Sequence, residues 1–271
     1  PVTGFGGRRS EIHCGGFCLP SRLLFGEKPS KMKGRLREGM QVGKPLENLF
    51  ETYQTLVVLD TETSGLRFDL DEIIELSAVT VQMAGGGPAI TGEYDRLIRL
   101  SPGKRLDPRI TQLTGISEVE LEAGGISKKE ACRDFMALLR HGRTLLVAYN
   151  AHFDLSFLYY FLRRDGDPGV LREPDMLDAL SVYKDRRPYP HKLKDAIEAY
   201  GLQDRVINSH RAIDDVKATV EVLKAMDCEC CDLNRYVNLF GFNPKYGVQG
   251  KRIGSVTYLP QPYSLMKKLY E

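Results

Sequence analysis

Asp60 and Glu62 stand two residues apart, directly after the apolar run Leu56-Val57-Val58-Leu59. A short run of aliphatic and β-branched residues bounded by Thr61 to Gly65 reads as a central strand. Successive strand residues face opposite sides, so the two carboxylates project together and Thr61 points away. Two like charges in a partly desolvated place repel, and one takes up a proton unless a cation sits between them. Asp and Glu oxygens suit a hard divalent ion such as Mg2+ or Mn2+, and no Cys or His stands close in sequence to favour zinc. The plainer alternative is a loop-opening Asp that caps the next turn beside a solvated Glu.

Two further segments bring acids to the ends of predicted elements. Thr144 to Tyr149 reads as a second buried strand, running into Asn150-Ala151-His152-Phe153-Asp154. Leu155, Phe157, Leu158, Phe161 and Leu162 then recur at helical spacing, which puts Asp154 near the start of an amphipathic helix, where the macrodipole also favours an acid. Ser209-His210-Arg211-Ala212-Ile213-Asp214-Asp215 precedes a long helical pattern through Val216, Ala218, Val220, Val222 and Leu223. Ser209 is the expected N-cap, which places His210 in the first turn and Asp215 about 140° further round the helix. One of Asp214 and Asp215 should then face solvent.

These segments together resemble the DEDDh family of 3′-to-5′ exonucleases, whose best known member is the proofreading epsilon subunit of bacterial DNA polymerase III. The family's D-x-E-T-x-G is matched by Asp60 to Gly65, its N-A-x-F-D by Asn150 to Asp154, and its H-x-A-x-x-D by His210 to Asp215; an L-T-G-I stretch stands at Leu113 to Ile116. The resemblance covers roughly Phe50 to Met226. It implies a ribonuclease H-like α/β fold, a mixed β-sheet with helices packed on both faces. It also implies two divalent cations, Mg2+ or Mn2+: Asp60, Glu62 and Asp215 hold the one that carries the attacking water, and Asp60 bridges to a second that Asp154 helps to hold. His210 is then the general base, an imidazole titrating near the operating pH. Thr63, Gly65, Leu66, Thr114 and Asn150 are the implied contacts to the terminal nucleotide. Phe153 either lines the base pocket or packs into the core. The acid-then-His pair of epsilon is absent near L-T-G-I, where Arg109 and Thr114 stand instead.

Elements that could hold these groups are legible around them. Glu72 to Gln82 and Ala89 to Leu100 are strand-rich and joined through Ala84-Gly85-Gly86-Gly87-Pro88, which with the Leu56 strand makes an antiparallel meander. Helical patterning over Lys129 to Arg140 leads to the Leu145 strand, expected to add parallel to the first. A helix from Lys192 to Tyr200 closes at Gly201. The expected division is a basic mobile tail over residues 1–48, an exonuclease domain over 49–228 and a C-terminal extension over 229–271.

The first fifty residues carry nine Lys and Arg against four Glu, a net +5 in a chain whose overall charge is only +2. They lack the continuous apolar run of a secretory signal, and a start without Met reads as a processed or truncated chain. No apolar stretch approaches a membrane span, and the six cysteines follow no zinc spacing, so a soluble, cytoplasmic protein with reduced thiols is expected. In the extension, Arg252 to Tyr258 alternates like an added strand, Lys245, Lys251 and Arg252 could touch nucleic acid, and Gln261 to Met266 is faintly similar to peptides that bind sliding clamps.

The leading expectation is a metal-dependent exonuclease that releases nucleoside monophosphates from the 3′ end of single-stranded or frayed DNA, in proofreading or repair, with a polymerase subunit or sliding clamp as partner. An RNA-trimming exoribonuclease uses the same motifs. A non-catalytic polymerase accessory module is the alternative from another class, opposed by the presence of all five motif residues.

Overall fold

The computed structural model describes residues 44–140, 142–207, 209, 211–248, 250–262 and 265–271. The expected basic tail lies outside the described residues up to residue 43, as do Cys14 and Cys18. The described chain opens on a short helix, α1 (Glu47–Phe50), which buries Leu46 and Leu49, and the Leu46 N–H donates to Asp227 Oδ2 at 2.6 Å. Docking of the chain thus begins inside the segment read as tail.

An antiparallel meander follows, β1 (Thr55–Thr63), β2 (Ile73–Ala84) and β3 (Gly87–Leu97). The turn between β2 and β3 is the pair Gly85-Gly86, with φ of 59° and 87°, the mirror-image turn whose twist suits a hairpin. Helices α2 (Pro108–Thr114), α3 (Glu118–Gly124) and α4 (Lys128–Leu138) lead to β4 (Thr144–Ala148), which pairs parallel with β1. Then come α5 (Ala151–Asp165), β5 (Asp175–Asp178), α6 (Ala179–Lys184), α7 (Leu193–Ala199) and α8 (Ala212–Glu229). The sheet order is β3-β2-β1-β4-β5.

β1 is central and buried on both faces, which is why its sequence reads as an unbroken apolar run. Leu56 and Val58 join Leu145, Val147, Val79 and Val81 in the core beneath α8. Val57 and Leu59 join Leu146, Ala148, Ala78 and Met176 in the core beneath α4 and α5. Each residue on β1 is therefore committed to one helix or the other, and that alternation continues into the strand's polar end.

The extension packs onto these same cores: Leu233 and Tyr236 enter the first, Phe240, Ile253 and Val256 the second. Two strands, β6 (Leu239–Phe242) and β7 (Thr257–Pro260), pair parallel as a separate small sheet. Strand structure begins only at Thr257, because Gly254 and Ser255 form a turn that lets Ile253 and Val256 be buried on either side of it. No helix among the described residues is long and apolar enough to cross a membrane.

Candidate functional site

The alternation of β1 sends Asp60 and Glu62 to the face covered by α8, in line with Leu56 and Val58, and sends Thr61 to the face covered by α5. Asp154, in the first turn of α5, is 2% exposed and accepts hydrogen bonds through Oδ1 from the Thr61 N–H at 3.0 Å and the Thr61 hydroxyl at 2.7 Å. Thr61, which points away from the two acids, is thus the residue that ties the second motif to the first. Asp215 lies in the first turn of α8 and approaches from the other face. Acids carried on both faces of the sheet converge on one strand end.

Their electrostatics follow from that convergence. Burial, then the charges of Asp154, Glu62 and Asp215, hold the Asp60 carboxyl well above the usual carboxylate range. Burial followed by Asp215, Glu75 and Asp154 pushes Glu62 up to about 8. Asp154 is raised to about 7 by burial, against the lowering effect of its hydrogen bonds from Thr61. Among the described residues no group of three or more Asp, Glu, His or Cys stands close enough together to hold an ion as the side chains lie. The set is nonetheless all oxygen, a donor type that fits a hard divalent ion.

Glu75 escaped sequence reading. It stands opposite Glu62 across β1 and β2, fully buried. Its Oε1 accepts from Arg211 Nε at 2.9 Å and from Nη2, and its Oε2 accepts from the Ala212 N–H at 2.9 Å. It therefore caps α8 from across the sheet. This corrects the expected helix start: α8 begins at Ala212 with Arg211 at its N-cap, while Ser209 donates its hydroxyl to Asp214. His210 lies outside the described residues. Asp178, given no role from sequence, accepts from the backbone N–H groups of Asn150 and Ala151, both at 3.0 Å, and of Leu180 and Ser181, so it pins the chain where the second motif turns into α5. An isolated acid at a strand end is the only signal that pointed to it.

The expected substrate contacts are placed unevenly. The Thr63 hydroxyl donates to the Gly65 carbonyl at 2.6 Å, and the loop carries Leu66 outward at 80% exposure. A side chain at Gly65 would run into the Asp71 carboxylate, which would have to move aside. Asn150 is exposed at the start of α5, with a left-handed φ of 69°. Phe153 is half-buried, its ring 4.9 Å from that of Phe157, so packing claims at least part of it. Thr114 is buried at the end of α2 and spends its hydroxyl within its own turn, on Ile110 and Ile116.

Fold and site define a ribonuclease H-like domain with a set of acids gathered at the end of its central strand. Residues 57–223, more than half the chain, match the RNase_T model, described as an exonuclease, and the chain belongs to that family. It is 34% identical over 169 residues to the PolC-type DNA polymerase III of Thermotoga maritima, covering 62% of this chain and 11% of the relative. It is also 34% identical over 118 residues to ribonuclease T of Photorhabdus laumondii, covering 41% and 54%. The chain thus spans about a tenth of the one relative and about half of the other. Among solved structures, Escherichia coli exonuclease I in complex with a dA16 oligonucleotide superposes with a TM-score of 0.59 at 22% identity, over 68% of this chain and 42% of that one. A zinc-bound form of the exonuclease I complex with single-stranded DNA gives 0.60 at 21%, over 68% and 42%. Divalent-metal chemistry is typical of the family.

Proposed function

We propose that this chain is a metal-dependent 3′-to-5′ exonuclease that hydrolyses the terminal phosphodiester of a nucleic-acid strand and releases nucleoside monophosphates. The observation that carries the reading is the convergence of Asp60, Glu62, Asp154 and Asp215 on one strand end, where the carboxyls of Asp60, Glu62 and Asp154 are raised above their ordinary range. Such a cluster is costly to fold and becomes favourable only when cations share it. Asp60, Glu62 and Asp215 would hold one Mg2+ or Mn2+, and Asp60 with Asp154 a second. Bound there, the ions supply charge neutralisation on the scissile phosphate and on the departing 3′ oxygen. His210 takes the proton of the attacking water. Thr63, Gly65, Leu66, Asn150, Phe153 and Thr114 orient the terminal nucleotide.

DNA is the favoured substrate class, because the PolC-type relative matches over the larger share of this chain. The match to ribonuclease T supports trimming of RNA as the second reading. A cytoplasmic setting beside a polymerase subunit fits the former. The clamp-like segment is a weaker basis for a partner: the Gln261 side chain is buried, donating to Ser181 O at 2.7 Å and Asp185 Oδ1 at 2.8 Å, while Tyr263 and Ser264 lie outside the described residues. The test is degradation of 5′-labelled DNA and RNA oligonucleotides of matched sequence, paired and frayed at the 3′ end, with Mg2+, beside an Asp60→Ala variant. A ladder shortening from the 3′ end in the parent and not in the variant is expected. Equal rates for the two proteins would end the enzymatic reading.

A further inference from the structure

The family match ends at residue 223, and from Leu233 to Tyr270 the chain has no Asp or Glu but carries Arg235, Lys245, Lys251, Arg252, Lys267 and Lys268. We propose that the loop joining β6 to β7, its described residues 243–248 and 250–256, is a single-strand cradle that grips the sugar-phosphate backbone behind the 3′ terminus, a role that rests on the exonuclease reading. The acids at the strand end by themselves repel a polyanion, and a net charge of +2 offers little general attraction, so a local basic surface beside the site would aid capture.

The placement of the loop supplies one. It lies along the outer face of α5, the helix whose first turn holds Asp154. The ring of Tyr258, in β7 just beyond the loop, meets that of His152 edge-on at 5.5 Å, and Lys251 Nζ stands 5.6 Å from the centre of the Tyr159 ring. Between them Gly250 presses so close that a Cβ there would fall 2.6 Å from Ser156 Oγ and 3.2 Å from the Phe68 ring. Residues 152, 156 and 159 are spaced four and three apart, one continuous stripe of the helix. Phe68 belongs to the loop that carries Leu66 outward, and its ring stacks 5.4 Å from Tyr160. The basic loop therefore touches both elements that frame the acidic strand end.

Its cations are available and interleaved with rings. Among the described residues, the ion pairs include none from Lys245, Lys251 or Arg252. Lys245 lies 5.2 Å from the Tyr246 ring and Arg252 5.3 Å from the Tyr258 ring, and Tyr246 is 65% exposed. Cations that meet phosphates beside rings on which bases can stack are the basis of sequence-tolerant single-strand binding.

The experiment is fluorescence anisotropy of a 5′-labelled 15-nucleotide strand with Ca2+, across a salt series, for three full-length proteins. The parent is compared with Lys245→Ala/Lys251→Ala/Arg252→Ala and with the charge-keeping Lys245→Arg/Lys251→Arg/Arg252→Lys. The alanine variant is expected to bind about tenfold more weakly at 0.1 M salt, with the slope of log Kd against log salt shallower by about 2, as loss of three phosphate contacts on a single strand predicts. The charge-keeping variant should bind as the parent does. In hydrolysis with Mg2+, the KM advantage of the 15-mer over a trinucleotide should collapse in the alanine variant. Unchanged Kd and slope in the alanine variant, or an equal loss in the charge-keeping one, would overturn the cradle. Inactivity of the parent on a strand it binds would instead overturn the exonuclease reading and leave the cradle standing.

Discussion

Glu62 and Glu75 face one another across β1 and β2, the same residue type on the same face of the same sheet, and their circumstances are opposite. Glu75 is fully buried and satisfied by the Arg211 guanidinium and the first N–H of α8. Glu62 lies among acids and is pushed up to about 8 by burial and by the charges of Asp215, Glu75 and Asp154, which Arg211 only partly offsets. The contrast extends outward: Glu72 is held below its usual range despite burial, by bonds from Ser101 and Lys128, and Lys128 pairs with it at 2.9 Å. A buried carboxylate serves architecture when the protein supplies the counter-charge, and becomes a candidate ion ligand when it does not.

Substitutions on the two sides of this contrast should behave differently. The largest effect is expected for Asp60→Asn, where mononucleotide release with Mg2+ should fall by about 10³-fold or more, while thermal stability in EDTA rises because repulsion is relieved. Retained activity, or a stability loss like that of a Glu75 variant, would erase the distinction. Next in size is His210→Ala, expected to lower kcat by about 10²-fold with Mg2+ affinity preserved. An affinity loss matching that of Asp215→Ala would place His210 among the ligands instead. Glu75→Gln should cost about tenfold in kcat, through a displaced start of α8, together with about 1–3 kcal/mol measured by urea unfolding; the latter is discounted from a fully buried pair because Arg211 is partly exposed.

The smallest effect is on stability against pH. Asp60, Glu62 and Asp154 titrate higher folded than unfolded, so between about pH 5 and the values near 7 and 8 the folded state binds more protons. Stability in EDTA should therefore decline as pH rises through that window, by a few degrees in Tm, and Mg2+ should restore it most at the alkaline end. A Tm that climbs over this range would mean that the cluster is compensated after all.

Much of this was written locally. The run at Leu56 names a strand buried on both faces, the pair Gly85-Gly86 names its hairpin, and the spacing from Leu155 to Leu162 names α5, because burial and backbone preference act over a few residues. The acids Asp60, Glu62, Asp154 and Asp215 were legible for the same reason, each standing at the edge of such a run. What sequence reading misplaced was the start of α8, where Ser209 looks like the cap. The first N–H of that helix goes instead to a side chain 137 residues away, on another strand.

That distance marks the division. Composition and periodicity determined which elements form and which residues end them. Only the tertiary structure decided that Thr61 would hold Asp154, that Glu75 would take the available guanidinium, and that Glu62 would be left among acids, because a counter-charge is a matter of proximity in space and neighbouring residues in the chain do not record it.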